Sequence, residues 1–268
     1  SGGHRYGFTD DGRVVFVASS DGLDSIWVLD LATGERTPLP GPRPTYVEQL
    51  RVHGSTVAYV GGTPTTPTSV WRVELADGTA TDLRSAVAPL DPEWISTPEP
   101  VTFPTGDGEL AHALLYPPTS GDHAGPDGEL PPLVVRIHGG PTAAARPELS
   151  TSVQFWTTRG FAVADVNYRG STGFGRRYRD LLLGAWGDAD VEDCLALTRE
   201  LAAQGRVDGD RCVIRGGSAG GFTALAAVCF QADRGHPGAF AAACSLYGVT
   251  DLAAMAADTH KFESRYLD

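Results

Sequence analysis

Several shortages mark the sequence, and most of them exclude a class of protein. There is one methionine, Met255, and one lysine, Lys261, so almost all of the 21 basic residues are arginines. Against those 21 stand 33 acidic residues, and the resulting net charge of −12 repels phosphate backbones and anionic lipid. Nucleic acid and membrane surfaces are therefore not expected partners. No apolar run approaches the roughly 18 residues that a membrane span requires; one of the cleanest, from Thr223 to Phe230, is short. Four cysteines, Cys194, Cys212, Cys229 and Cys244, show neither CxxC nor Cys/His metal spacing. They read as small buried hydrophobes in a reducing, cytoplasmic setting. The opening Ser-Gly-Gly-His-Arg holds no apolar h-region, so no secretory signal is expected within these 268 residues. Ser1 is not a translation start, so it reads as a processed end or as a cut inside a longer protein.

What is present is globular. Hydrophobic residues make up 41% and charged residues 20% of 268, while 33 Gly and 19 Pro announce many turns. The first ninety-odd residues contain a repeat. Gly12–Val17 matches Gly54–Tyr59 at an offset of 42, and Ile26–Gly34 matches Val70–Gly78 at an offset of 44. Each unit reads as short alternating strands turning at Asp11-Gly12, Thr33-Gly34 or Asp77-Gly78. A repeat of about 40 residues with several antiparallel strands is the pattern of a β-propeller blade, and a closed ring needs about four to eight of them. Residues 1–96 are therefore expected to be the last blades of an incomplete propeller, with Trp27 and Trp71 packing at equivalent blade positions.

From about Thr97 strands alternate with helices, the cadence of a doubly wound, mostly parallel sheet covered on both faces. A hairpin, Val101–Phe103 and Leu110–Tyr116, comes first. Strands are then expected at Leu133–Ile137, Phe161–Val166, Arg211–Arg215 and Phe240–Leu246. Helices are expected near Ser150–Thr158, Asp190–Ala203 and Ala219–Gln231. Residues 97–268 make this second domain, also expected to be incomplete.

The sharpest motif is Gly216-Gly217-Ser218-Ala219-Gly220-Gly221. With 15 Ser and 33 Gly, a bare G-x-S-x-G arises by chance about 0.2 times in such a chain, so context decides. The motif follows one expected strand and opens one expected helix, the setting of a nucleophile elbow that exposes Ser218 at a strained turn. His138-Gly139-Gly140-Pro141 ends the strand Leu133–Ile137. A glycine pair there can present a backbone N–H to an oxyanion, which nominates Gly140 together with the residue after the nucleophile, Ala219. His138 precedes Ser218, against the hydrolase order of Ser, acid, His, and is read as a brace of its loop rather than as the base. A third motif, Asn167-Tyr168-Arg169-Gly170-Ser171-Thr172-Gly173-Phe174-Gly175, follows the strand Phe161–Val166.

These three motifs in this order, downstream of the repeats, resemble the prolyl oligopeptidase family of serine peptidases, and best its acylaminoacyl-peptidase and dipeptidyl-aminopeptidase-like branch. The resemblance covers essentially the whole chain. It implies an α/β-hydrolase domain preceded by a partial β-propeller that limits access to short peptides. It also implies Ser218 as nucleophile and Gly140 and Ala219 as oxyanion donors. Some members carry a tyrosine donor about where this chain has His138; here two backbone N–H groups take that role.

The family's triad acid and histidine lie well after the elbow. Asp251 and His260 have the right chain order, but Asp251 opens a helix and reads as its cap. Asp233, His236, Asp258 and Asp268 complete the candidates after Ser218. The triad Asp and His are thus expected outside this chain, supplied by the same longer protein or another chain, and the 268 residues alone are expected to be inactive. Asp188, Asp190, Glu192 and Asp193 resemble a metal cluster but read as acids favoured by a helix N-terminus, and Arg176, Arg177 and Arg179 as a solvated helix face. No cofactor or metal is implied. The expected function is hydrolysis of short peptides near their N-terminus through an acyl-enzyme on Ser218. A carboxylesterase on the same fold and a non-catalytic propeller-bearing binding protein are the alternatives.

Overall fold

A computed structural model describes residues 4–252. The chain divides into two compact units, Ser1–Pro92 with Arg146–Ser150, and Glu93–Ala145 with Thr151–Asp268.

The first unit holds two four-stranded antiparallel meanders, one per repeat. Strands β1 (Tyr6–Phe8), β2 (Arg13–Ser20), β3 (Leu23–Asp30) and β4 (Arg36–Pro38) form the first; β5 (Tyr46–His53), β6 (Thr56–Gly62), β7 (Ser69–Glu74) and β8 (Ala80–Ser85) form the second. Gly12, Gly34 and Gly78 occupy the expected turns with φ of 85°, 74° and 74°, a region that a side chain would disfavour. The β2–β3 turn was not expected from the sequence. Asp21 and Gly22 both have positive φ, the backbone of a two-residue hairpin turn whose twist matches the strands. Between β6 and β7 the loop is longer, which accounts for the change in repeat offset. Inward-facing Val15, Ile26 and Val28 of the first sheet and Val47, Leu50, Val57, Tyr59 and Val73 of the second share one core. Trp71 packs against this core, whereas Trp27 lies under the Arg36 guanidinium, 4.7 Å from its ring centre. The segment Arg146–Ser150 is tied to this unit by Thr45 Oγ1 donating to Pro147 O (2.7 Å) and Thr68 Oγ1 to Glu148 Oε2 (2.8 Å).

The second unit is built on a six-stranded mixed sheet in the order β14-β13-β11-β12-β10-β9. Here β9 is Glu99–Pro104, β10 Leu110–Tyr116, β11 Leu133–Ile137, β12 Ala162–Asn167, β13 Cys212–Gly217 and β14 Ala242–Leu246. The last four run parallel, and the β9–β10 hairpin extends them antiparallel beside β12. Helices α1 (Thr151–Thr157), α2 (Gly175–Asp180), α3 (Ala189–Ala203) and α4 (Ala219–Phe230) fill the connections. The main core lies where β10–β13 meet α3 and α4, with Val135, Val166, Leu195, Leu197, Ile214 and Ala224 all buried. A smaller one, with Val134, Val153 and Val163, packs α1 on the opposite face.

The chain steps from β11 to β12 on one side, then crosses to β13 on the other. Strand order reverses at β11, and in open α/β sheets ligands bind at the carboxyl ends of strands flanking such a switch. One expectation needs correction: Cys194 and Cys212 are buried, but among the described residues Cys229, near the end of α4, and Cys244, on β14, are exposed. Asp190 and Glu192 stand in the first turn of α3, as expected, but Asp190 and Asp193 are also completely buried, since their partners Thr223 and Arg169 lie inside the packed layer.

Candidate active site

Ser218 sits between β13 and α4 with φ 55° and ψ −124°, the left-handed side of backbone space that a serine occupies only under constraint. Its neighbours supply the constraint. A Cβ on Gly216 would lie 2.3 Å from Gly220 O, and one on Gly220 would lie 2.5 Å from Ile137 O and 2.7 Å from His138 O. Real Cβ atoms do not approach backbone so closely, so both positions of G-x-S-x-G must be glycine for β13 to turn into α4 against the end of β11. The turn leaves Ser218 exposed, with no hydrogen bond to its Oγ among the described residues. Its backbone is fully engaged: Ser218 N–H donates to Leu246 O (3.1 Å), and Ser218 O accepts from Gly221 and Phe222.

The loop after β11 faces this turn. A Cβ on Gly139 would stand 3.4 Å from Ser218 Cβ and 3.9 Å from Ser218 Oγ. Gly140 is exposed, with φ 132°, a value open only to glycine. Neither the Gly140 N–H nor the Ala219 N–H is consumed by a hydrogen bond among the described residues. Ala219 opens α4, so its amide also lies at the positive end of a 12-residue helix.

His138 braces this loop with both ring nitrogens. Nδ1 lies 2.8 Å from Gly139 O, which can only accept, so Nδ1 carries the proton. Nε2 lies 2.8 Å from Ser171 Oγ and accepts its hydrogen. Burial lowers the pKa of His138 to about 4, and the ring is neutral. With both nitrogens occupied it cannot take a proton from Ser218. The ring also stacks on Tyr168 at 4.3 Å, and the Tyr168 hydroxyl donates to Pro141 O at 2.7 Å.

The third motif thus acquires a physical role that its spacing did not disclose. Asn167 Oδ1 accepts the Ala145 N–H (2.8 Å), Thr172 N–H donates to Ala143 O (2.7 Å), and Tyr168 and Ser171 hold Pro141 and His138. Arg169 anchors the motif from beneath, its backbone N–H and Nε on Asp193 (2.7 and 2.8 Å) and its Nη1 on Asp107. Gly170, φ 110°, lies against Leu182, which a Cβ would strike at 2.6 Å.

A further group beside the turn was not expected. Tyr247, φ 43° and 85% exposed, lays its ring over Gly217, 3.0 Å from where a Cβ would stand. Of the remaining acid and base candidates, His236 lies 3.7 Å from Glu192. Asp233 and Asp251 are exposed. His260, Asp258 and Asp268 lie outside the described residues, and so does any pairing of Asp251 with His260. Arg177 meets Glu109 on the exposed face of α2.

The model of the prolyl oligopeptidase family matches residues 147–268. A Mycobacterium tuberculosis puromycin-hydrolyzing peptidase superposes with a TM-score of 0.92 at 40% identity, over 99% of this chain and 40% of its own. Residues 147–268 belong to the prolyl oligopeptidase family. Among curated members, dipeptidyl aminopeptidase BIII of Pseudoxanthomonas mexicana is 33% identical over 194 residues, 69% of this chain and 27% of that protein. Acylamino-acid-releasing enzyme 1 of Oryza sativa subsp. japonica is 35% identical over 128 residues, 48% of this chain and 16% of that protein. The chain therefore spans about a quarter or less of the length of these curated relatives.

Proposed function

We propose that the protein is a serine peptidase that cleaves short peptides near their N-terminus through an acyl-enzyme on Ser218. The observation that carries this reading is the exposed, left-handed Ser218 facing a loop and a helix start whose Gly140 and Ala219 amides are both unspent among the described residues. Ser218 Oγ attacks the scissile carbonyl and its proton passes to a general base. The oxyanion is met by the two N–H groups, the C–N bond breaks as the leaving amine takes a proton, and water then releases the acyl group. The triad acid and base come from polypeptide beyond the described residues, of the same longer protein or another chain. The two repeats of the first unit are read as the last blades of a propeller that admits short chains only. Four free thiols support a reducing, cytoplasmic compartment.

The test is covalent. A fluorophosphonate should label Ser218 in the full-length protein, and Ser218→Ala should abolish both labelling and turnover. Retained turnover by Ser218→Ala overturns the reading. Substrate class follows from comparing kcat/KM on an aminoacyl anilide, a matched ester and puromycin, which several solved relatives are named for hydrolysing. Preference for the ester alone favours a carboxylesterase, and absence of labelling favours a binding protein. The isolated 268-residue chain should show no Ser218-dependent hydrolysis.

A further inference from the structure

Asp190 stands apart from the other buried acids. Asp193 faces Arg169 and Asp165 faces Arg136, yet none of the ion pairs among the described residues includes Asp190. Its carboxylate is completely buried at the start of α3 and receives two donors, Gly187 N–H at 2.6 Å and Thr223 Oγ1 at 2.5 Å. Burial raises its pKa, and these donors offset part of that rise. A buried carboxylate without a cation costs stability, and an apolar replacement is commonly tolerated or better. What this one does instead is geometric. Thr223 lies one helical turn after Ala219, and its hydroxyl also stands 3.1 Å from Ala219 O. Around it, Trp186 packs edge-on against Phe222 (5.6 Å), and a Cβ on Gly187 would meet the Phe222 ring at 3.1 Å. Residues 186–190 therefore seat the first turn of α4 from the side, with the Asp190–Thr223 hydrogen bond as a directional contact among packed rings.

We propose that Asp190 and Thr223 are a positioning pair that fixes the rotation and height of the first turn of α4, and through it the aim of the Ala219 N–H at the oxyanion. This rests on the reading of Ser218 as nucleophile. Neither side chain touches substrate. Misplacement of a donor by a fraction of an ångström weakens transition-state binding while leaving ground-state binding alone.

The experiment uses the full-length protein with Thr223→Val, Thr223→Ser and Asp190→Asn, an aminoacyl anilide as substrate and an aminoacyl boronate as the transition-state mimic. Thr223→Val and Asp190→Asn should lower kcat by about 10- to 100-fold with KM within twofold. The boronate Ki should rise by the same factor as kcat/KM falls. Thr223→Ser, which keeps the hydroxyl, should restore kcat to within about threefold of the parent. Equal kcat in Thr223→Val and parent overturns the proposal. So does a loss that Thr223→Ser fails to restore, or one that appears in KM and not in the boronate Ki. Should a variant unfold, the other two carry the same comparison, and Tm separates lost fold from lost aim. Failure of the parent to label with fluorophosphonate indicts the reading of Ser218 instead.

Discussion

The turn at Ser218 and the loop at His138 meet the same requirement by opposite means. Each must hold a backbone amide free and aimed. The turn does so by backbone packing: glycines at 216 and 220 lie against carbonyl oxygens with no room for a single carbon. The loop does so by side chains drawn from one motif some thirty residues away, with hydrogen bonds from Tyr168 to Pro141, Ser171 to His138 and Ala145 to Asn167. Steric closure is all-or-none, whereas a hydrogen-bonded brace is graded and can depend on pH.

The largest expected effect comes from putting a carbon into the turn. Gly220→Ala must displace Ile137 O or open the α4 start, and the rate of fluorophosphonate labelling should fall by more than about 100-fold. A labelling rate within tenfold of the parent would show that the turn can relax and that the contrast is overstated. Tyr168→Phe should do less. It removes one hydroxyl from Pro141 O but keeps the ring stack, so labelling should slow by about tenfold and stability should drop by about 1–2 kcal/mol.

A third effect, confined to low pH, separates the two regions by acidity. His138 is held neutral, its pKa lowered to about 4 from an ordinary 6.5, so the unfolded chain takes up this proton first as the pH falls. The stabilisation is fully present above pH 6.5 and is lost as the pH drops towards 4, to the extent of about 1–3 kcal/mol. Urea unfolding followed across that range should show the slope, and His138→Asn should flatten it. An unchanged slope in the variant would remove His138 from the account.

How much of this was legible in the sequence follows from the same contrast. A steric rule writes itself at fixed spacing, so Gly216-x-Ser218-x-Gly220 could be read directly, as could the glycine turns at 12, 34 and 78. Hydrogen bonds between distant segments leave no spacing. Nothing local to Asn167–Ser171 says that these residues serve a loop at 138–145. Likewise Asp190 and Asp193 carry the pattern of acids at a helix start, and only the folding of Arg169 and Thr223 beside them reveals that they are buried. That the sheet would be mostly parallel could be anticipated from the strand and helix cadence. That the β9–β10 hairpin would add to β12 could not, because pairing across 50 residues is decided by packing rather than by the hairpin's own residues.

The cysteines bear on how opening of the second unit could be followed. Cys194 and Cys212 lie in its core, where burial pushes the first thiol well above its ordinary range and the second up to about 11, while Cys229 and Cys244 face solvent. Under mild alkaline conditions a disulfide reagent should therefore consume two equivalents quickly and two more only as the interior becomes wet. The slow pair makes the molecule its own stopwatch for that event, with no dye or tag attached.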